Sequence, residues 1–349
     1  MTAVSDIQQR VRDAAASATP LRIVGSGSKD FYGGPLVGEP LSTATLVGIV
    51  DYEPAELVVT VQSGTPLADI DAALDARGQM LAFEPPHFGA AGTIGGALAA
   101  GLSGPRRAYS GAARDFVLGV RIIDGQGRAL RFGGQVIKNV AGFDVARLMA
   151  GSLGTLGVLT EVTLKTLPKP STEVTLVRAA TEAQALTLCN EWAGRPLPIS
   201  ATGHLDGHLY VRLSGASAAV NAACGQVGGE RLRDDAAFWT ALRDHSHAVF
   251  TQAQTVWRIS IPSTTPPLGL AAEQLIEWGG ALRWIVGDLQ SDARERIAAL
   301  GGHVSCFRSV ARSTSAFQSL PSALHELHRR LKHVFDPMAI LNRNRLYDL

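Results

Sequence analysis

With 349 residues, 46% of them hydrophobic and 18% charged, the chain is long enough for two cores and has the composition of an ordinary globular protein. Thirty-two basic residues against 31 acidic ones leave a formal net charge of +1, which excludes the broad basic field that nucleic-acid binding needs. Cys189, Cys224 and Cys306 lie far apart, which excludes a disulfide framework and a self-contained iron–sulfur cluster, so any redox carrier is organic.

In chain order, Ser5 followed by Gln8 is a capping-box pattern, and Ile7, Val11 and Ala15 recur at helical spacing, which predicts an amphipathic helix over 5–17. Charges run through the apolar period of this N-terminal stretch, so neither a signal peptide nor a membrane span is expected, and the chain reads as cytoplasmic. LRIV, 21–24, predicts a strand running into Gly25-Ser26-Gly27-Ser28-Lys29, a stretch that presents bare backbone N–H groups. ELVVTV, 56–61, predicts another strand, and Thr65 as N-cap, Pro66 at the first helical position and Gly78 bracket a helix. The segment from Phe88 to Gly111 is too rich in glycine for any regular element, so a ligand is expected against it.

VLGVRIID, the turn Gly125-Gln126-Gly127 and RALRFG predict a hairpin over 117–133, and FDVARLMA predicts a short helix. VLTEVTLKTL, 158–167, alternates with Val162 and Leu164 on one face and Glu161, Thr163 and Lys165 on the other, as in a half-buried strand. Pro168 and Pro170 end it and mark the expected domain boundary. Beyond it, strand-like TEVTLVRA, helical TEAQALTLCNEWA, a strand pair around HLYVRL and helical ASAAVNAACGQ suggest an α+β unit with an antiparallel sheet. A second strand–helix round is expected in TVWRISIP, GLAAEQLIEW and ALRWIVGD. SALHELHRRLKHVF spaces Leu324, Leu327 and Leu331 along a helix face, and an irregular tail follows from Asp336.

Gly25-Ser26-Gly27 alone is a weak signal. It fails the dinucleotide fingerprint, because Asp30 stands where the third glycine belongs, and GSGSK lacks the spacing of a phosphate-binding P-loop. Gly92-Thr93-Ile94-Gly95-Gly96 changes the reading: two small-residue loops far apart in sequence suit a pyrophosphate clamped between two subdomains, held through backbone N–H groups.

These strings carry a family resemblance. RIVGSGSK, SGTPLADI, PPHFGAAGTIGGALAAGLSGPRR, RDFVLGVRIIDGQGRALRFGG and KNVAGFDVARLMAGSLGTLGVLTEVTLKTLP resemble the PCMH-type FAD-binding domain of the vanillyl-alcohol oxidase family, and within it the FAD-binding E subunits of bacterial glycolate oxidases. The similarity is dense over about 20–168 and resumes in HRRLKHVFDPMAILN. It implies an α+β fold: a PCMH-type FAD-binding domain of two α/β subdomains over 1–169, then an α+β cap or substrate domain with an antiparallel sheet over 170–349. The tail, about 329–349, is expected to return toward the FAD domain. The family commonly closes with Asn-Pro-Gly after this leucine, whereas Leu341 is followed here by Asn342-Arg343-Asn344-Arg345.

The resemblance implies FAD, and since no histidine or cysteine stands inside either loop, non-covalent binding is expected. Position by position it assigns Gly25, Ser26, Gly27, Ser28 and Lys29 to the first pyrophosphate loop and Gly92, Thr93, Ile94, Gly95 and Gly96 to the second. Gly104 and Asp115 fall in the continuation toward the flavin, and Gly154, Gly157 and Val158 in an adenosine-side turn; Asp115 is equally readable as a surface ion-pair partner. It further implies oxidation of glycolate to glyoxylate with a sister FAD-containing subunit and an iron–sulfur subunit, which leaves peripheral attachment to the inner membrane open. Two alternatives stand beside it: a self-sufficient flavoenzyme for another 2-hydroxy acid such as D-lactate, and a flavin-free structural subunit.

Hydroxy-acid oxidation also needs a carboxylate clamp and a base. Arg258 in VWRISIP is the candidate clamp, since a guanidinium can hold a carboxylate through two parallel hydrogen bonds; an ordinary strand arginine is the competing reading. His204 with His208, His245 with His247, and His325 with His328 have spacings that can pair imidazoles; the resemblance implies that a metal-binding segment would follow the arginine strand, whereas GHLDGH precedes it, so no metal site is expected there. His87, directly before the glycine-rich segment, is better placed to neighbour the flavin, but an ordinary loop histidine is the favoured reading, and no convincing base emerges.

Overall fold

The computed structural model describes residues 3–134, 144–270, 272–310 and 316–349. Two sheets organise it. A five-stranded antiparallel sheet in the first half runs in the order Ile49–Glu53, Val58–Gln62, Val158–Lys165, Val117–Ile123, Ala129–Gly133. Helix Leu67–Asp75 and the short helices Ile94–Ala100 and Val145–Leu148 contribute Ile70, Leu74, Leu98 and Ala146 to the core over this sheet.

The strand predicted over 158–167 is found, but it is central rather than half-exposed. Neighbours on both sides and cover on both faces bury Thr160 and Thr163 along with Val162 and Leu164, and the Thr163 hydroxyl is hydrogen-bonded to that of Thr60 at 3.0 Å. The 117–133 hairpin forms, its turn held by Asp124 Oδ1, which accepts the N–H groups of Gln126 and Arg128. KNVAGF, 138–143, lies outside the described residues; helix Val145–Leu148 follows, with Asp144 capping Arg147 N–H at 3.0 Å.

The second half forms an eight-stranded antiparallel sheet. Its order is Glu230–Arg231, Thr172–Ala179, His208–Gly215, Ile199–Leu205, Glu273–Glu277, Leu282–Val286, Thr255–Ser260, His303–Ser309. Helices Glu182–Ala193 and Ser217–Val227 bury Trp192, Val220 and Val227 with Leu176 and Val211 of this sheet. GLAAEQLIEW, expected as a helix, instead supplies strand Glu273–Glu277, paired with Leu282–Val286 across a turn in which Gly279 and Gly280 take φ of +65° and +105°. Good helix formers lose here to a hairpin glycine pair and to ladder pairing on both sides.

Some caps shift by a residue or two. The first helix begins at Ala3, which places Ser5 inside its first turn, and the Thr65 hydroxyl donates to Gln62 O at 2.7 Å while Pro66 stands just before helix Leu67–Asp75. In helix Ser322–Phe335, Leu324 and Leu327 are exposed, and Lys332 and Phe335 face inward.

Two connections place the functional region. One apolar cluster contains Tyr32, Leu102 and Leu153 together with Leu205, Trp239, Trp284 and Phe307, so the halves share a core. The C-terminal tail returns beside strand Leu21–Val24: Leu21 N–H donates to Ile340 O at 2.7 Å and Asn342 N–H to Leu21 O at 2.9 Å. Its anchor is buried. Lys332 Nζ donates to Asp336 Oδ2 at 2.6 Å and to the carbonyls of Thr155 and Leu341, and Asp336 in turn accepts Ile340 and Leu341 N–H.

Candidate functional site

The two glycine-bearing loops meet. Gly25 follows directly on strand Leu21–Val24, and a Cβ placed on it would stand 2.7 Å from Thr93 Oγ1. Gly95 packs as tightly on Ser63, whose Cβ and carbonyl oxygen would each lie 2.7 Å from an added methyl. Only side-chain-free backbone allows these approaches. Between the loops runs a cleft with about 770 Å³ of empty space, part of it open to solvent.

All five residues of the first loop line this cleft, as do Thr93, Gly95, Gly96, Gly154 and Gly157. The loops differ in what they offer. Among the described residues, no backbone acceptor takes the N–H groups of Gly25, Ser26, Gly27 or Lys29. In the second loop the protein uses its own: Ile94 N–H donates to Thr65 O at 3.0 Å, Gly95 N–H to Ser63 O at 2.8 Å and Gly96 N–H to Thr93 Oγ1 at 3.2 Å. The first loop therefore provides donors and the second provides a surface that can be approached closely.

Five assigned residues lie outside the cleft. Ile94 and Val158 are fully buried in the core, Gly92 makes a tight turn against His87 O, and Asp115 accepts Ala112 N–H at 2.9 Å and pairs with Arg147 at 3.5 Å. Gly104 borders a separate chamber described below.

Several cleft residues carry no local sequence signal for ligand binding. Ser63 enters from the end of strand Val58–Gln62 and Asn342 and Arg345 from the tail. Despite lacking the usual Pro-Gly, the tail reaches the cleft: Asn342 Oδ1 accepts Ile23 N–H at 2.7 Å and its Nδ2 donates to Leu153 O at 2.6 Å. Asn342 sits at φ +42°, a conformation asparagine tolerates better than most residues. Arg345 donates to the carbonyls of Tyr32 and Gly34, tying the tail to the segment after the first loop.

Lys29 lines the cleft together with two arginines, Arg22 and Arg345. Burial lowers the pKa of Lys29 to about 8, opposed by the charge of Asp244. Its ammonium lies 3.5 Å from His87 O and 5.4 Å from the Phe88 ring centroid. Phe88 also meets His245 edge-on at 5.4 Å, and His245 lines the second chamber. Phe88 and His245 both hold positive φ, +51° and +53°.

The second chamber, with about 310 Å³ of empty space that includes open solvent, lies between Pro86 and the 102–105 loop on one side and the eight-stranded sheet on the other. Arg258 and Glu277 face it from neighbouring parts of that sheet. The Arg258 guanidinium is 5.4 Å from the Trp278 ring centroid and 6.0 Å from that of Trp284. Burial raises the Glu277 carboxyl to about 7, reinforced by Glu84 and opposed by a 2.7 Å hydrogen bond from Trp284 Nε1 and by Arg258 and Arg212. Burial, with Arg308 and Arg258, depresses His245 to about 3.

The other histidines singled out from the sequence have local partners. His204 Nε2 bonds Ala180 O, His208 Nδ1 bonds Asp206 O, His247 caps Ala248–Thr251, His325 Nε2 bonds Asp348 O, His328 meets the Tyr347 ring, and His87 Nε2 is 3.1 Å from Asp71. No group of three or more potential metal ligands occurs among the described residues, and no helix there is long and apolar enough to cross a membrane.

Residues 1–133 match the model of the FAD binding domain family. The glycolate oxidase subunit GlcE of Escherichia coli (strain K12) is 46% identical over 340 residues, 97% of this chain and 96% of that protein. The glycolate oxidase subunit GlcD of Bacillus subtilis (strain 168) is 36% identical over 129 residues, 37% of this chain and 27% of its own length. p-Cresol methylhydroxylase with substrate bound superimposes with a TM-score of 0.74 at 15% identity over 98% of this chain and 87% of that chain, a likeness of fold alone.

Proposed function

Because the chain belongs to the family of glycolate oxidase E subunits, within the PCMH-type FAD-binding fold, we propose that it is the FAD-binding subunit of a glycolate oxidase complex that converts glycolate to glyoxylate. One observation carries the reading. Two loops separated by most of a domain meet with Gly25 against Thr93 and leave a cleft lined by backbone donors and a buried lysine.

The residues fit a dinucleotide diphosphate. Gly25, Ser26, Gly27 and Lys29 would offer N–H groups and Lys29 its ammonium, while Thr93, Gly95 and Gly96 allow close approach. Gly154, at φ +73° with Asn342 Nδ2 2.7 Å from where its Cβ would stand, would shape the adenosine side with Gly157. FAD supplies the hydride acceptor. The chain's own part is to hold the diphosphate, orient the ring toward the second chamber and exclude water there. On this reading 1–169 forms the flavin-holding domain and 170–349 the domain that covers it, with the tail joining the two.

The partners follow the same reading. The assembly is the multi-subunit glycolate oxidase, and within it this chain would sit with a GlcD-like FAD subunit and an iron–sulfur subunit, which would also make any membrane contact.

The purified chain is expected to carry flavin absorption, to rebind FAD after stripping, and to support glycolate-dependent reduction of an artificial acceptor with its partners present. A chain that neither retains nor rebinds FAD would refute the reading.

A further inference from the structure

Helix Ser322–Phe335 turns its aliphatic residues away from the body of the protein. Leu324, Leu327, Leu331 and Val334, continued by Met338 just past its end, recur at alternating intervals of three and four residues. Leu324, Leu327 and Met338 are about half exposed, Val334 is 65% exposed and Leu331 is half-buried. A different sector meets the body: His325 Nε2 bonds Asp348 O at 3.1 Å, His328 lies against the Tyr347 ring, and Lys332 and Phe335 are buried. Pro321 gives the helix no side-chain cap. A helix of 14 residues is marginal in water when its apolar face is left uncovered, so the stripe needs something to lie against it.

The spacing and the charges say what. Intervals of three and four make a narrow seam, the pattern by which one helix seats its side chains between those of another. From Leu324 to Val334 the seam runs about 15 Å, at a rise of about 1.5 Å per residue. Helices that lie on lipid spread aromatic and aliphatic residues over a broad face. Here the seam carries no aromatic residue and is bounded by the body on one side and by Arg330 on the other. A second copy of the chain suits it no better. An antiparallel two-fold pair would set Arg330 against Arg330. Glu326, the only carboxylate of the helix, is already held by Arg329 at 2.8 Å and Arg330 at 2.7 Å.

We propose that this seam docks an amphipathic helix of a partner subunit of the complex, whose own apolar stripe is flanked by aspartate or glutamate facing Arg330. The proposal rests on the multi-subunit reading given above. Burial of Leu327 and Val334 supplies the attraction, and the basic flank selects an acidic partner over a second copy.

The test uses the full-length flavin-loaded chain with a GlcD-like FAD subunit and an iron–sulfur subunit, each purified and mixed with it singly and together. Association is followed by gel filtration with light scattering. Leu327→Glu combined with Val334→Glu is expected to raise the Kd for one of the partners at least about thirtyfold, as loss of central interface anchors does. Both side chains are exposed, so the flavin spectrum should stay normal and the melting temperature should move by no more than about 2 °C. Val47→Glu with Val50→Glu, an equally exposed aliphatic pair before and within strand Ile49–Glu53, should leave assembly unchanged. Arg330→Glu should weaken the same partner and flatten the salt dependence of its binding. A photoreactive residue in place of Leu327 should cross-link to a partner peptide with apolar residues three and four apart and acidic flanks.

Assembly that survives the double substitution at Leu327 and Val334 would overturn the proposal. So would cross-links from position 327 to a second copy of this chain, or flotation on anionic vesicles that the double substitution abolishes while assembly persists. A wild-type chain that binds neither subunit refutes the multi-subunit reading itself, whereas wild-type assembly matched by the variant refutes the seam alone.

Discussion

The contact between Gly25 and Thr93 can be tested by a double-mutant cycle. Gly25→Ala places a methyl 2.7 Å from Thr93 Oγ1, and Gly25 is not at positive φ, so the penalty is steric. Overpacking of this kind costs about 1–3 kcal/mol. Thr93→Ala removes the hydroxyl that accepts Gly96 N–H at the start of helix Ile94–Ala100, an N-cap loss of about 1 kcal/mol. Once that hydroxyl is gone, the nearest remaining Thr93 atom is Cβ at 3.7 Å, an ordinary contact, so the double variant should cost little more than Thr93→Ala alone. The expected coupling is therefore about 1–3 kcal/mol, read from urea unfolding followed by tryptophan fluorescence, with FAD affinity changing in the same non-additive way. Costs that add to within about 0.5 kcal/mol would mean that the loops do not touch and that the cleft is wrongly drawn.

Glu277 predicts a pH dependence of stability. Its folded pKa of about 7 lies above the usual 4.5, so its neutral form is the one the fold favours. Its contribution is fully present below about 4.5 and is lost as pH rises through 7, by about 3 kcal/mol at 1.36 kcal/mol per unit. The stability of Glu277→Gln relative to wild type should accordingly rise by that amount between pH 4.5 and 8 in parallel denaturation curves; a constant difference would contradict the buried placement. Asp336→Ala leaves Lys332 buried without its counter-ion and should cost about 3–5 kcal/mol, releasing Asn342 and weakening FAD binding, as thermal melts with and without FAD would report. Lys29→Met should weaken FAD by roughly 10- to 100-fold in a fluorescence titration, the value of a hydrogen bond to a charged group, without a comparable loss of stability.

The cleft was half legible. Gly25 to Lys29 and Gly92 to Gly96 stand out because close backbone approach requires residues that almost nothing else requires in such density. The return of the tail was expected, but Ser63, Asn342 and Arg345 carried no assigned role, being ordinary polar residues brought to the cleft by strand pairing and by that tail. Glu277 was hidden for a different reason. Its segment reads as helix former by composition, and a glycine turn with ladder partners on both sides makes it a strand instead. The strand over 158–165 showed its alternation, but its central position buried the threonines of the second face as well.

By itself the sequence determined which stretches must lie bare against something else, where the hairpin at 117–133 turns, and that the second half builds an antiparallel sheet, because turn chemistry and side-chain period act over a few residues. Which bare stretches face each other, which tail asparagine closes the cleft, and which carboxyl is buried beside Arg258 were decided only by the tertiary structure. Proximity and desolvation arise between segments that local sequence leaves independent.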